Sequence, residues 1–157
     1  MKFLVSPTRE NLTRSRPPVR IFLGFSLLLL LAMAAQRVVE GELTPSGVQE
    51  RYLGSGDPSD AMPLSALVES LHVSAFVYGF LLLVLGSLLV VSPVNESLRR
   101  WLTFGGAAAC AFDLATPWLV VALRGGAEMR VASFVLAAGF MVGSVFVLAR
   151  TFGRDPV

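Results

Sequence analysis

The sequence predicts an all-α polytopic membrane protein: a bundle of four transmembrane helices with a short helix at its outer face. Three observations predict this class. The chain is strongly apolar, with a mean hydropathy of +0.68. Only 15% of its 157 residues are charged, against roughly 25% in ordinary soluble domains. The charges lie between long apolar runs, whereas an amphipathic soluble helix would mix them periodically.

Four apolar runs predict the spans, because a helix needs about 20 mostly apolar residues to cross a bilayer. The predicted spans are 21–39, 65–92, 101–123 and 131–149. The first reaches full length only by including Gln36 to Val39. Its basic N-terminal flank, leucine run and small residues near Ala34 also resemble a secretory signal, so a cleaved and a retained first span both stay open.

Lysine and arginine positions predict the orientation, since cytoplasmic loops carry the excess of positive charge. Of the 13 basic residues, nine lie on one side and four on the other. Both termini, the arm 1–20 and the tail 151–157, are therefore predicted to be cytoplasmic. The nine are Lys2, Arg9, Arg14, Arg16, Arg20, Arg99, Arg100, Arg150 and Arg154. The four are Arg37, Arg51, Arg124 and Arg130.

The predicted outer segment 40–64 is acidic and contains the signals of one short helix. Thr44 is a suitable N-cap, and Pro45 suits the first helical position. Gly54 could end the helix. Val48 and Tyr52 would then share the face that lies over the bundle.

Small residues recur along the predicted spans and indicate close helix packing, which lipid-embedded helices achieve through small side chains. Cys110 lies in one of these stripes and is interpreted as a small buried filler. The predicted packing positions are Ala75, Gly79, Gly86, Gly106, Gly139 and Gly143.

Asp113 lies well inside the third span, where a lipid-facing carboxylate would be costly. We therefore expect it to point into the bundle, toward polar groups of the second or fourth span. Pro117 lacks an N–H, so it frees the carbonyl oxygen of Asp113 and favours a kink there. Asp113 is interpreted either as a structural clasp or as a proton or ion site.

Glu69 and His72 share one face near the outer end of the second span. With Asp113 they form a predicted polar cluster, or relay, in the outer half of the membrane. The alternative is that His72 is interfacial or structural and that Glu69 is solvated among the headgroups.

Several function classes find no support. The chain has one histidine and one cysteine, so it can form neither an intrachain bis-His haem site nor a CxxCH attachment motif. No catalytic motif is visible, and no patch of basic and aromatic residues indicates nucleic-acid binding. We expect no catalytic residues and no cofactor. The expected partners are the lipid bilayer and other membrane subunits or further copies of the chain.

Two stretches carry a resemblance to a family. They are Glu69-Ser70-Leu71-His72-Val73-Ser74 and Asp113-Leu114-Ala115-Thr116-Pro117-Trp118. They resemble an uncharacterised family of bacterial inner-membrane proteins with four helices and a His-x-His-like motif opening helix 2. Some longer members carry a c-type haem motif, which implies a redox setting. This chain departs from that pattern with Ser74 in place of a second histidine and with no CxxCH, so only His72 and Asp113 carry over.

Three functions remain open from the sequence. The first is a small, non-enzymatic inner-membrane subunit or accessory protein of a redox or respiratory assembly. The second is a haem- or metal-binding membrane protein in which His72, the one metal-ligand candidate, acts with a residue of a partner chain. The third is a small proton or cation transport component that uses Asp113.

The orientation gives a direct test. Reporter fusions at Ser55, Ser97 and Ala127 are expected to report outside, inside and outside, because the basic residues favour cytoplasmic termini. A cytoplasmic signal at Ser55 would contradict the predicted topology.

Overall fold

The computed structural model describes residues 9–55 and 60–153, with side chains from Arg16 onward. In this part of the chain every regular element is helical. The helices are α1 Arg9–Val39, α2 Pro45–Leu53, α3 Leu64–Val91, α4 Glu96–Arg100, α5 Gly106–Leu123 and α6 Ala127–Gly153. A π-helical turn, Trp101–Gly105, joins α4 to α5, so that these elements form one rod.

Among the described residues, four helical rods are long and apolar enough to cross a membrane: Arg16–Val39, Leu64–Val91, Glu96–Leu123 and Ala127–Gly153. They extend beyond most of the predicted bounds. The predicted basic arm is helical from Arg9 onward, and the predicted tail is helical as far as Gly153. The third rod begins at Glu96 because the Asn95 side chain caps it, accepting a hydrogen bond of 2.9 Å from the Ser97 N–H. The remainder of the arm and tail, residues 1–8 and 154–157, lies outside the described residues.

Helix α6 is the centre of the fold, because α1, α2, α3 and α5 all pack against it. Its apolar positions Ala137, Met141 and Leu148 are almost completely buried. Helix α1 contributes one buried stripe at spacings of three, four and seven residues, as a packed helix face requires. That stripe consists of Val19, Leu23, Ser26, Leu30 and Arg37.

The small residues are only partly used for packing. A side chain at Gly106 would contact Phe140 and Leu82, and Gly86 and Gly143 also lie beside neighbouring helices. Contrary to the sequence prediction, Ala75, Gly79 and Gly139 face out of the bundle. The reason is rotational. The buried face of α3 contains Tyr78, Leu81 and Leu85, about a quarter turn from the small-residue stripe, and Gly139 lies nearly opposite Ala137.

Helix α2 lies over one end of the bundle, which we call the α2 end. The Thr44 side chain caps it by accepting a hydrogen bond of 3.2 Å from the Gly47 N–H, and Gly54 ends it at φ +83°. Both features were predicted. Val48 and Tyr52 are buried against Leu67, Val120 and Ala127, which hold α2 on α3, α5 and α6. These contacts fix the connection between α1 and α3 to the bundle.

The π-helical turn gives a stability test. A methyl group at Gly105 would lie 2.6 Å from the Phe140 ring, which stacks on Trp101 with ring centroids 5.4 Å apart. Gly105→Ala is therefore expected to lower the free energy of unfolding by about 1–3 kcal/mol. The control is Gly79→Ala, where no atom lies within 4 Å; it should be neutral or slightly stabilising. Equal melting temperatures of the two variants in detergent would contradict the expected overpacking.

Candidate functional site

Four buried ionic side chains meet near the α2 end: Arg37, Glu42, Asp113 and Arg130. We call them the ion network. Arg37 is 6% exposed and the other three are at most 2% exposed. They come from α1, the α1–α2 connection, α5 and α6, so the network joins segments far apart in the sequence.

Backbone geometry brings Glu42 into this position. Gly41 adopts φ +74°, a left-handed conformation that suits glycine, and turns the chain back at the end of α1. The Glu42 N–H then donates to the Arg37 carbonyl at 2.9 Å. Gly47 lets α2 approach this turn, since a side chain there would lie 2.2 Å from the Gly41 carbonyl oxygen. The turn therefore directs Glu42 inward, beneath α2.

Glu42 uses both carboxylate oxygens. Its Oε2 atom forms ion pairs with Arg37 and, at 2.9 Å, with Nη2 of Arg130. Its Oε1 atom accepts a hydrogen bond of 2.6 Å from the Tyr52 hydroxyl, and Arg51 Nε lies 3.1 Å away. Glu42 thus connects α1, α2 and α6 through one carboxylate.

Asp113 is completely buried and holds the other side of the network, pointing into the bundle as predicted. Its Oδ1 atom accepts hydrogen bonds of 2.9 Å from both Arg130 Nη1 and Ser133 Oγ. Its Oδ2 atom accepts from the Tyr78 hydroxyl at 2.9 Å and from Arg37 Nη2 at 3.3 Å. Its polar partners therefore lie on the second and fourth spans, and on the first as well.

Pro117 contributes through the backbone. It leaves the Asp113 carbonyl without its usual helical donor, and an unsatisfied carbonyl in a membrane interior is costly. Arg130 Nη1 donates to this oxygen at 2.7 Å, and Thr116 Oγ1 donates at 2.8 Å. One Arg130 guanidinium therefore satisfies the carboxylate and the carbonyl of the same residue.

The network is electrically balanced, because two guanidinium groups face two carboxylates. Balance matters because removing an ion from water costs several kcal/mol, which the structure recovers only with good pairing and further hydrogen bonds. Each carboxylate here contacts both arginines. The Arg37 guanidinium also lies over the Phe134 ring, 5.3 Å from its centroid.

Tyr52 and Arg51 connect the network to the surface of α2. Burial raises the pKa of the Tyr52 phenol, and the neighbouring Glu42 carboxylate raises this pKa further. Tyr52 therefore stays protonated and donates its hydrogen bond. Arg51 is about a quarter exposed and pairs with Glu40 at 3.0 Å as well as approaching Glu42. The exposure of the polar side chains thus increases from Glu42 and Tyr52 to Arg51 and Glu40.

The structure does not bring the three predicted cluster residues together. Glu69 and His72 both face out of the bundle, while Asp113 is buried among other partners. On α3, Glu69 lies about half a turn around the helix from the inward-facing Tyr78, and His72 lies about a third of a turn away. The polar group that α3 offers to Asp113 is Tyr78, not His72.

Sequence reasoning missed Arg37, Glu42 and Arg130 as site residues because it counted them as charges of the outer connections. Two signals were present. Arg37 continues the α1 stripe seven residues after Leu30, and Arg130 lies three residues before Ser133 on the buried face of α6. Glu42 had no local signal, because its position depends on the turn at Gly41.

The fold and the site together define an integral membrane protein, a four-helix bundle closed near one end by buried ion pairs. A family model described as a transmembrane helical domain (Aq_1264_TM) matches residues 42–155, and the chain belongs to this family. The matched segment contains the whole ion network except Arg37. No curated protein and no solved structure shows significant similarity to the chain.

The contacts of the site are those of a structural ion-pair network that holds the helices together. Hydrogen bonds or ion pairs occupy both oxygens of each carboxylate. Within residues 9–55 and 60–153, no group of three or more His, Cys, Asp or Glu side chains could hold a metal ion. Pro117 and Asp113 act together, as the sequence predicted, and Arg130 is the residue that uses the freed carbonyl.

The network predicts an ordered series of stabilities for Asp113 variants. Asp113→Leu is expected to lower the free energy of unfolding by about 3–5 kcal/mol, because two buried arginines would share one carboxylate. Asp113→Asn should cost less, about 1–3 kcal/mol, since its amide oxygen still accepts hydrogen bonds. Glu69→Gln, at an outward-facing residue, is the control and should change stability by less than about 0.5 kcal/mol. Unfolding in mixed detergent micelles would measure the series, and a leucine variant as stable as the wild type would contradict it.

Proposed function

We propose that the protein is a small, non-enzymatic inner-membrane subunit or accessory protein whose ion network locks the outer ends of its helices. The observation that carries this proposal is the balanced network. It joins α1, α2, α3, α5 and α6 by direct side-chain bonds. A helical bundle anchored in this way presents fixed outer surfaces to neighbouring membrane proteins.

The buried carboxylate supports a structural role better than transport. Asp113 is engaged by Arg37, Tyr78, Arg130 and Ser133 at once. A cation or proton bound at Asp113 would have to compete with two guanidinium groups. The cavity beside Asp113 measures about 10 Å³, close to the space of one water molecule. Transport through Asp113 would require these contacts to open.

Membership of a redox or respiratory assembly is part of the proposal and rests on the resemblance at His72 and Asp113. The outward position of His72 favours the second candidate function, a haem- or metal-binding protein that uses His72 together with a partner chain. A histidine that faces out of the bundle is placed to contact a partner chain, so a shared haem or metal would need a ligand from that partner.

The proposed orientation places α2 and the ion network on the outer side of the bacterial inner membrane, with both termini in the cytoplasm. Support comes from the nine-to-four distribution of basic residues. Arg37 and Arg130, two of the four on the outer side, are neutralised inside the network. The free positive charge on that side is therefore smaller than the count of arginines indicates.

One set of measurements on the full chain tests the proposal. Chromosomally tagged protein, extracted in mild detergent, is expected to migrate on native gels with a defined partner, well above its own 16.8 kDa. Asp113→Leu should lose this species, and Glu69→Gln should keep it. Reconstituted wild-type protein should pass protons, Na⁺ and K⁺ no faster than empty liposomes.

Two outcomes would replace the proposal. A cation or proton flux that Asp113→Asn abolishes without unfolding the protein would favour transport. A Soret band in the partner-containing preparation that His72→Ala removes would favour the haem-binding candidate. A monomeric wild-type protein without flux or visible absorption would contradict the subunit proposal itself.

A further inference from the structure

A lateral cleft separates α1 from α3 at the level of the ion network. Helix α1 packs mainly on α6, whereas α3 packs on both α5 and α6, so the backbones of α1 and α3 are not closely packed against each other. The cleft has a volume of about 30 Å³. Its polar lining consists of Gln36, Arg37, Glu40, Ser70 and Ser74.

A smaller cavity adjoins the cleft. It has a volume of about 10 Å³, and Arg37, Ser70 and Ser74 line both spaces. Asp113 and Arg130 form its inner wall. The two spaces are therefore neighbours, and the smaller one reaches the buried carboxylate.

A residue that lines the smaller cavity carries an unpartnered donor. Arg130 is 2% exposed, and its Nε–H has no acceptor among the described residues. A buried N–H of this kind is costly, and ordered water is the usual partner when protein acceptors are lacking. The nearby hydroxyls differ from others in the bundle. Ser26, Ser87 and Ser144 each donate to the carbonyl four residues earlier, whereas no such bond forms at Ser70 or Ser74 within the described part of the chain.

We propose that the cleft is a water site, in which a short chain of about three water molecules connects its mouth to the ion network. The innermost water accepts the Arg130 Nε–H and donates to the Ser74 hydroxyl. Waters nearer the mouth bond to Ser70, Ser74 and Glu40. The volumes fit, because one water needs roughly 10–15 Å³ and two to four polar partners.

Hydration on this side explains how a cluster of four ions is maintained inside a membrane protein. Water supplies the hydrogen bonds that the protein leaves unmade and reduces the cost of burying charge. The proposal goes beyond the structural role of the network, because it assigns a water-accessible route to groups that the bundle otherwise encloses. A purely structural network with a dry cleft would be compatible with the proposed function but not with this inference.

Cysteine reactivity tests the water site. Ser74→Cys is nearly isosteric and places a thiol in the cleft. Ala75→Cys places a thiol one residue along α3, at the same depth, on a surface that faces out of the bundle. Both variants carry Cys110→Ala, so that the native thiol is absent. The probe is the silver ion, which is close to water in size and does not enter lipid. It is applied in chloride-free buffer to native membranes opened on both sides.

Thiolates form in water and are suppressed in apolar surroundings. Cys at position 74 is therefore expected to react at least about tenfold faster than Cys at position 75, measured as the loss of maleimide labelling after denaturation. Melting curves equal to that of Cys110→Ala would verify the fold of both variants. Equal rates, or a slower rate at position 74, would overturn the water site. Because silver reaches both sides, neither result depends on the orientation.

Discussion

Pro117 removes the helical N–H from the Asp113 carbonyl, and the Arg130 guanidinium replaces it. The rest of the α2 end depends on this contact. Once Arg130 is drawn to the carbonyl and carboxylate of Asp113, its second nitrogen needs another anion, and Glu42 provides it. Glu42 in turn needs a second cation and a hydroxyl donor, which Arg37 and Tyr52 supply. A backbone defect in one helix is thus linked to the polar partners of three others.

The opposite end of the bundle depends on apolar contacts. There Leu85, Leu89, Val145, Leu148 and Phe152 form the core, with no buried charge among them. Apolar packing distinguishes poorly between neighbouring rotations of a helix, because lipid is as apolar as the core. Ion pairs are directional, so they discriminate strongly between neighbouring rotations of a helix. The network therefore sets the rotation of each helix, and the leucine-rich end fills the space that results.

The sequence predicts the parts of this fold that depend on local pattern. Apolar length gave the four spans, Thr44 and Gly54 gave the bounds of α2, and the cost of a buried charge placed Asp113 inside. The partners of Asp113 could not be predicted in the same way. Spacing shows which residues share a helix face, but not which face turns inward. For this reason the sequence indicated His72, and not Tyr78, as the partner of Asp113 on α3. Glu42 reaches the network only through a turn in the tertiary structure.

The π-helical turn at Trp101–Gly105 has a consequence for the two ends of its rod. A π turn accommodates one more residue than a regular α-helix would at that place, which rotates everything beyond it by about 100° relative to an uninterrupted helix. Arg99 and Arg100 can therefore face the aqueous boundary while Asp113, further along the same rod, faces the network. The turn therefore sets the rotation between the end of the rod that faces the surface and the end that faces the buried network. Removing a single residue from it would restore a regular α-helix and keep both ends facing as they do, whereas winding all its residues into a regular α-helix would turn one end to the wrong side.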